Sequence, residues 1–153
     1  MIEIKFKKEH PDAVLPKKAH ESDAGFDVVA VSKTMKYDTP GEDYIEYDLG
    51  FSTEIPEGYK GVIVPRSSIS KYNLIMCNSP AQIDSSYRNT WKIRFKILQD
   101  INPTNWNNIK TYQVGERIAQ IFFEPILNVD FKIVEELTET ERNQGGFGST
   151  GIK

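Results

Sequence analysis

The segment Arg142-Asn-Gln-Gly-Gly-Phe147-Gly148-Ser149-Thr150-Gly151 places one arginine, one aromatic ring and two hydroxyls among four glycines. Glycine lets a backbone approach a ligand closely. Successive free N–H groups in such a run form a concave anion site. Ser149 and Thr150 add hydroxyl donors, and Arg142 adds a fixed fork suited to phosphate. Phe147 offers a flat apolar face to a ring. Phosphate and ring together point to a nucleotide. A Gly/Ser-rich terminus is also the composition of a flexible linker, and the segment alone does not decide between the two.

A second stretch carries matching chemistry. Asn78-Ser-Pro-Ala81-Gln82-Ile83-Asp84-Ser-Ser-Tyr87-Arg88 lies between two strand-like runs, so it reads as a hairpin. An open hairpin presents N–H and C=O groups in alternation and can read a base edge as a partner strand would. Uracil and cytosine differ in the order of donors and acceptors, so a fixed backbone pattern with the Asn78 amide can separate them. Asp84 is a candidate general base, and Tyr87 a candidate ring for a sugar to pack on. A plain β-turn with Asp as turn former fits the same residues. Pro65-Arg66-Ser67-Ser68 follows a strand and opens a short helix over Ser67–Tyr72, either a local phosphate site or an N-capped turn. Gln120 is a further phosphate donor, and Arg117 a phosphate ligand or an ion-pair partner. Asp23 and Asp27 flank Gly25, where they would hold a hydrated Mg²⁺ or simply form a turn. His10 and His20 lie in polar surroundings with nothing to place them in a serine triad.

The elements that must position these residues are strands. Ile2–Phe6, Phe26–Val31, Ile45–Phe51, Lys60–Val64, Trp91–Leu98, Ile118–Phe123 and Val129–Val134 are short runs rich in β-branched and aromatic residues, with turn residues between them. Turn signals at intervals of about 8–12 residues predict an all-β sandwich or barrel. The clearest alternation is Trp91, Ile93, Phe95, Ile97 against Lys92, Arg94, Lys96. Asn102–Asn108, around Trp106, reads as a polar loop. With 153 residues the chain predicts one domain. An all-β protein must also cover its edge strands, and subunit packing is one way to do so.

Composition excludes some classes. Net charge is −3, so no global basic field exists to draw duplex nucleic acid or an anionic membrane. No apolar run approaches the roughly 20 residues of a membrane helix. MIEIKFKKEH lacks the apolar core of a signal peptide. Cys77 is the single cysteine, which excludes an internal disulfide and fits a reducing, cytoplasmic location. Its place in Leu74-Ile-Met-Cys77 predicts a core residue.

Five segments in order, SDAGFDVVA (22–30), PRSSIS (65–70), NSPAQIDSSYRN (78–89), GERIAQIFF (115–123) and RNQGGFGSTG (142–151), resemble the motifs of the trimeric dUTPases, deoxyuridine triphosphate nucleotidohydrolases. The run LGFSTEIPEGYKGVIVPRSS (49–68) is similar to that family as well. The resemblance implies a jelly-roll-like β fold over residues 1–141, a mobile glycine-rich arm over 142–153, and a homotrimer with sites at its subunit interfaces. It implies hydrolysis of dUTP to dUMP and pyrophosphate, which keeps uracil out of DNA and supplies dUMP for dTMP synthesis. By position, Asp84 would activate water for attack on the α-phosphorus. Asn78 and the backbone around Gln82, Ile83 and Lys92 would read uracil, and Tyr87 would leave no room for a ribose hydroxyl. Arg66, Ser67, Ser68 and Gln120 would grip phosphates. Arg142, Ser149 and Thr150, with the Gly148 backbone, would take the γ-phosphate, and Phe147 would stack on the base. Mg²⁺ would ride on the triphosphate, with Asp27 reaching it through water and no direct protein ligand. The chain departs from the family pattern at Ser86 for an acidic residue, Asn89 and Ala81 for glycines, and a second serine in PRSS. The same fold also implies two alternatives: a dCTP deaminase, or a non-catalytic nucleotide-sensing trimer.

Overall fold

The computed structural model describes residues 1–36, 44–98, 109–141, 143 and 145. Among them ten strands form: β1 (Lys5–Lys8), β2 (Phe26–Val29), β3 (Ser32–Lys36), β4 (Tyr44–Asp48), β5 (Phe51–Glu54), β6 (Tyr59–Pro65), β7 (Leu74–Met76), β8 (Ala81–Ile83), β9 (Lys92–Ile97) and β10 (Arg117–Pro125). They make two four-stranded sheets, β2-β10-β6-β8 and β3-β4-β9-β7, and a ribbon, β1-β5. Every pairing between these strands is antiparallel. The all-β architecture is the one that the short runs and turn residues predict.

Alternation decides which faces meet. On β9, Ile93 and Phe95 are buried with Trp91 just ahead, while Lys92, Arg94 and Lys96 face outward. Trp91, Phe95, Tyr47, Tyr112 and Phe51 are the largest fully buried side chains. Tyr47 meets Phe95 edge-on at 5.7 Å and 83°, and Phe51 leans on Trp91 at 5.4 Å. Aromatic pairs in such geometries stabilise beyond their buried area. The run Ile45–Phe51 is not one strand. Gly50, at φ +68°, turns the chain between β4 and β5, and its N–H bonds to Asp48 Oδ1 at 2.7 Å. A Cβ at Gly50 would lie 2.7 Å from Val31.

Two other expectations change. Cys77 is exposed, because the two-residue period that buries Leu74 and Met76 turns Ile75 and Cys77 to the outer face. Val129–Val134 finds no partner strand among the described residues and runs unpaired, with Phe131 at 91 % and Ile133 at 98 % exposure. The turn at Ser67–Tyr72 forms as a 3₁₀ helix over Ser67–Lys71. The Trp106 loop lies outside the described residues. No helix among those residues is long and apolar enough to cross a membrane.

The Tyr47 hydroxyl donates to the Tyr112 carbonyl at 2.9 Å. Burial pushes its pKa up to about 12. The folded chain therefore keeps a proton that the unfolded chain releases near pH 10. This contribution leaves stability intact below pH 10 and erodes it as pH rises from 10 to 12, by up to about 1.4 kcal/mol per pH unit. Tyr47→Phe should cost about 1 kcal/mol at neutral pH through the lost hydrogen bond. It should also flatten the alkaline decline. Urea unfolding at pH 7, 10 and 11 checks both, and an unchanged alkaline slope would refute the assignment.

Candidate active site

Asp27 is the centre of one cluster. It lies on β2 opposite Gln120 on β10, which in turn lies opposite Val64 on β6. The carboxylate is 7 % exposed. Its Oδ1 accepts from Arg66 Nε at 2.9 Å and Gln120 Nε2 at 3.2 Å, and its Oδ2 from Arg117 Nη1 at 2.9 Å. A β-bulge between Arg117 and Ala119 makes this possible. Arg117 pairs with Val29 and Gln120 with Asp27, two residues apart on β2, so both side chains emerge on one face. The backbone of Asp27 is tied as well, its N–H bonding to the Lys17 carbonyl at 2.8 Å. Arg117 thus takes the ion-pair role open to it in the sequence.

Arg66 spends Nε on Asp27 and one Nη1 hydrogen on the Arg117 carbonyl at 3.4 Å. Three of about five donors remain for a ligand. Two guanidinium groups share one carboxylate, so the cluster keeps a net positive charge suited to an anion. Ser67 is exposed in the turn that follows. The Ser68 hydroxyl is buried without a hydrogen-bond partner, as is that of Tyr112. The two face each other: burial raises the Tyr112 pKa, and the nearby Ser68 hydroxyl partly offsets this. The Ser68 side chain is therefore turned into the core, which leaves its backbone N–H as its means of meeting a phosphate.

The second cluster is a cavity of about 390 Å³ lined by Asn78, Ile83, Tyr87 and Lys92, with Ala81 and Cys77 beside them. The expected hairpin is present in opened form. β7 pairs with β9 from Leu74↔Ile97 to Met76↔Phe95, and the last bond runs from Cys77 N–H to the Arg94 carbonyl at 2.9 Å. The chain then leaves for the other sheet, where β8 pairs with β6, before returning into β9. This excursion, with a cis Ser79–Pro80 peptide, leaves the β9 edge at Lys92 and Ile93 facing the cavity. The Gln82 side chain accepts from Lys60 at 3.2 Å, and Lys92 Nζ donates to Glu46 at 3.1 Å. Both side chains keep unused donors, two amide hydrogens on Gln82 and two ammonium hydrogens on Lys92, besides their main-chain groups. Burial works against ionisation of Glu46, and hydrogen bonds from Lys92 and Arg94 outweigh it, holding that carboxyl below its ordinary range.

Asp84 follows Ile83, and its carbonyl accepts the Tyr87 N–H at 3.1 Å, closing a turn. Its carboxylate is exposed and takes no partner among the described residues. The Tyr87 hydroxyl donates to the Thr90 carbonyl at 3.2 Å. No hydrogen bond among the described residues joins this cluster to the Asp27 cluster. Arg142, Phe147, Gly148, Ser149 and Thr150 lie outside the described residues.

A family model of dUTPases matches residues 12–151. The chain belongs to the dUTPase family. A deoxyuridine 5'-triphosphate nucleotidohydrolase of Escherichia phage T5 is 39 % identical over 157 residues, covering 98 % of this chain and 99 % of that protein. One from Clostridium acetobutylicum is 36 % identical over 154 residues, covering 100 % and 99 %. A mutant dUTPase of Staphylococcus bacteriophage 80alpha, solved with dUpNHpp, superposes with a TM-score of 0.80 at 25 % identity, covering 99 % of this chain and 100 % of that one.

The family implies a divalent cation, and Asp27 is the acidic residue of the cluster that could reach it. Among the described residues no group of three His, Cys, Asp or Glu side chains could hold a metal ion. Asp27 has three of about four lone-pair positions filled, leaving room for one water and none for a cation between two guanidinium groups. Mg²⁺ keeps several waters and commonly rides on phosphates, so a single water-mediated contact is enough.

Asp27→Asn would keep the Oδ1 acceptor and set an N–H against that of Arg117. Urea unfolding should lose about 1–3 kcal/mol, the cost of a broken hydrogen bond to charge. A double-mutant cycle with Arg117→Gln should give a clear coupling energy. Additive losses would mean that Arg117 is not anchored by Asp27.

Proposed function

We propose that this chain hydrolyses dUTP to dUMP and pyrophosphate through a water activated by Asp84. The observation that carries the mechanism is a carboxylate free of structural duty, at the head of a turn whose neighbours Ile83 and Tyr87 both line the cavity. The cavity volume suits a nucleoside. In this reading uracil meets Asn78 and the open β9 edge, and cytosine is rejected because its edge leaves buried groups unpaired. Tyr87 packs on the deoxyribose and excludes a 2′-hydroxyl. Arg66, Ser67, the Ser68 backbone and Gln120 hold the phosphates. Asp84 takes a proton from water as the water oxygen bonds to the α-phosphorus. The bond from that phosphorus to the bridging oxygen breaks, and pyrophosphate leaves with the electron pair. Mg²⁺, carried on the triphosphate, supplies charge neutralisation when bound. Positioning and charge complementarity supply most of the catalysis in such transfers.

The working unit in this reading is a homotrimer. Leu127, Val129, Phe131 and Ile133 alternate along an unpaired segment and are all exposed. A groove of about 600 Å³, lined by Ile2, Ile4, Phe6, Phe26 and Phe123, runs beside β1. The other edge of β1 is unpaired, because its ribbon holds only β5 besides. Placing the segment of one copy on the groove of another removes both exposures. It also lets neighbouring subunits contribute the two clusters of one site.

Incubation with dUTP, dCTP, dTTP and UTP should release pyrophosphate from dUTP alone, and no ammonia from dCTP. Asp84→Asn should keep nucleotide binding and lose about 10²–10⁴-fold in kcat, the usual worth of a positioned base. Near-normal turnover in that variant would sink the assignment. Tyr87→Ala should raise the UTP-to-dUTP ratio of kcat/KM.

The 142–153 arm completes the reading as a closure over the triphosphate. Ordering it costs about 1–2 kcal/mol per residue, which contacts of Arg142, Ser149 and Thr150 with the γ-phosphate would offset. Deleting residues 142–153 should leave the oligomer intact and hydrolysis poor. Full activity after truncation would mean that the arm is a linker.

A further inference from the structure

We propose that Arg88 is a positioning residue, clamping the turn that carries Asp84 and Tyr87 and thereby sharing in turnover and sugar discrimination. The inference rests on the roles given above to those two residues. Arg88 Nη1 donates to the Ser85 carbonyl at 2.5 Å and to the Tyr87 carbonyl at 3.1 Å. One nitrogen therefore ties the Ser85–Ser86 peptide group to the Tyr87–Arg88 peptide group. The turn has few other restraints: the Tyr87 N–H bond to the Asp84 carbonyl, the Tyr87 hydroxyl on Thr90, and the Asn89 side chain accepting from the Thr90 N–H at 2.8 Å. The Tyr87 ring is 40 % exposed and forms no stacked pair among the described residues. Its place against a sugar is set by the backbone of the turn and little else.

Hydrogen bonds from a guanidinium to carbonyls are among the stronger neutral–charged contacts, and the planar fork gives direction as well as energy. A small displacement of a carboxylate or ring from its productive place is costly in rate, so a clamp on the turn acts on chemistry without touching substrate.

The test compares Arg88→Ala and Arg88→Lys with the parent enzyme, measuring kcat, KM, the UTP-to-dUTP ratio of kcat/KM and the melting temperature. Arg88→Ala should lower kcat by about tenfold, the order expected for a lost charged hydrogen bond at a partly solvated site. It should raise the UTP-to-dUTP ratio and leave the melting temperature unchanged. Arg88→Lys, with the charge but not the fork, should fall between. Low-millimolar guanidinium ion should restore part of kcat in Arg88→Ala and leave the parent enzyme unaffected. Parent values of kcat and sugar ratio in Arg88→Ala would overturn the proposal, as would a loss of kcat with an unchanged ratio and no rescue. If Asp84→Asn and Tyr87→Ala also behave as the parent, the underlying reading of the turn fails instead.

Discussion

One buried carboxylate organises the half of this protein that we propose binds phosphate. Asp27 gathers Arg66 from the end of β6, and Gln120 and Arg117 from β10. A carboxylate placed where polyanions are to bind looks adverse on charge alone. The cluster remains cationic because two guanidinium groups share it, and the carboxylate fixes where their unused donors point. An arginine that is free in solution must lose rotamer entropy when it meets its ligand. Arg66 has lost much of that freedom already, with its Nε held at 2.9 Å. The acidic residue stabilises the site by pre-organisation and lowers its net charge only by one.

The half that we propose recognises the base depends on an interruption in a sheet. Had β7 continued beside β9, the Lys92 and Ile93 main-chain groups would be satisfied by a strand. The chain departs after Cys77, and β8 is pinned to β6 in the opposite sheet through Gly61↔Ile83 and Ile63↔Ala81. A Cβ on Gly61 would lie 2.9 Å from the Trp91 ring, so this close approach of β6 to the core beneath the cavity needs glycine. The vacated edge is a row of donors and acceptors in fixed order. Selectivity built on main-chain groups would tolerate side-chain change around it, as at Ala81 and Ser86.

Several side chains that look available in sequence are committed elsewhere. Gln82 Oε1 answers Lys60 and Lys92 answers Glu46, while the Ser68 hydroxyl is buried without a partner. The converse holds for Asp84, which is committed to nothing among the described residues. Its carboxylate is therefore available to a ligand. Arg88 shows no role in the sequence, because a side chain that acts only on its own turn carries no pattern there.

Sequence alone determined the all-β class, the buried face of β9 and the family, since each rests on local alternation, turn residues or ordered motifs. It also determined which residues could meet a nucleotide. Tertiary structure decided what each of them is free to do. The Asp27 cluster joins residues 90 and 93 positions apart, and a bulge in β10 sets its geometry. Cys77 left the expected core because the pleat begun at Leu74 turned it outward, and Ile45–Phe51 divided because Gly50 lies at positive φ. Val129–Val134 kept the pattern of a strand and found no partner among the described residues. Local chemistry writes the inventory of groups; long-range pairing alone fixes which hydrogen bonds are already spent, and so which groups are left for a ligand.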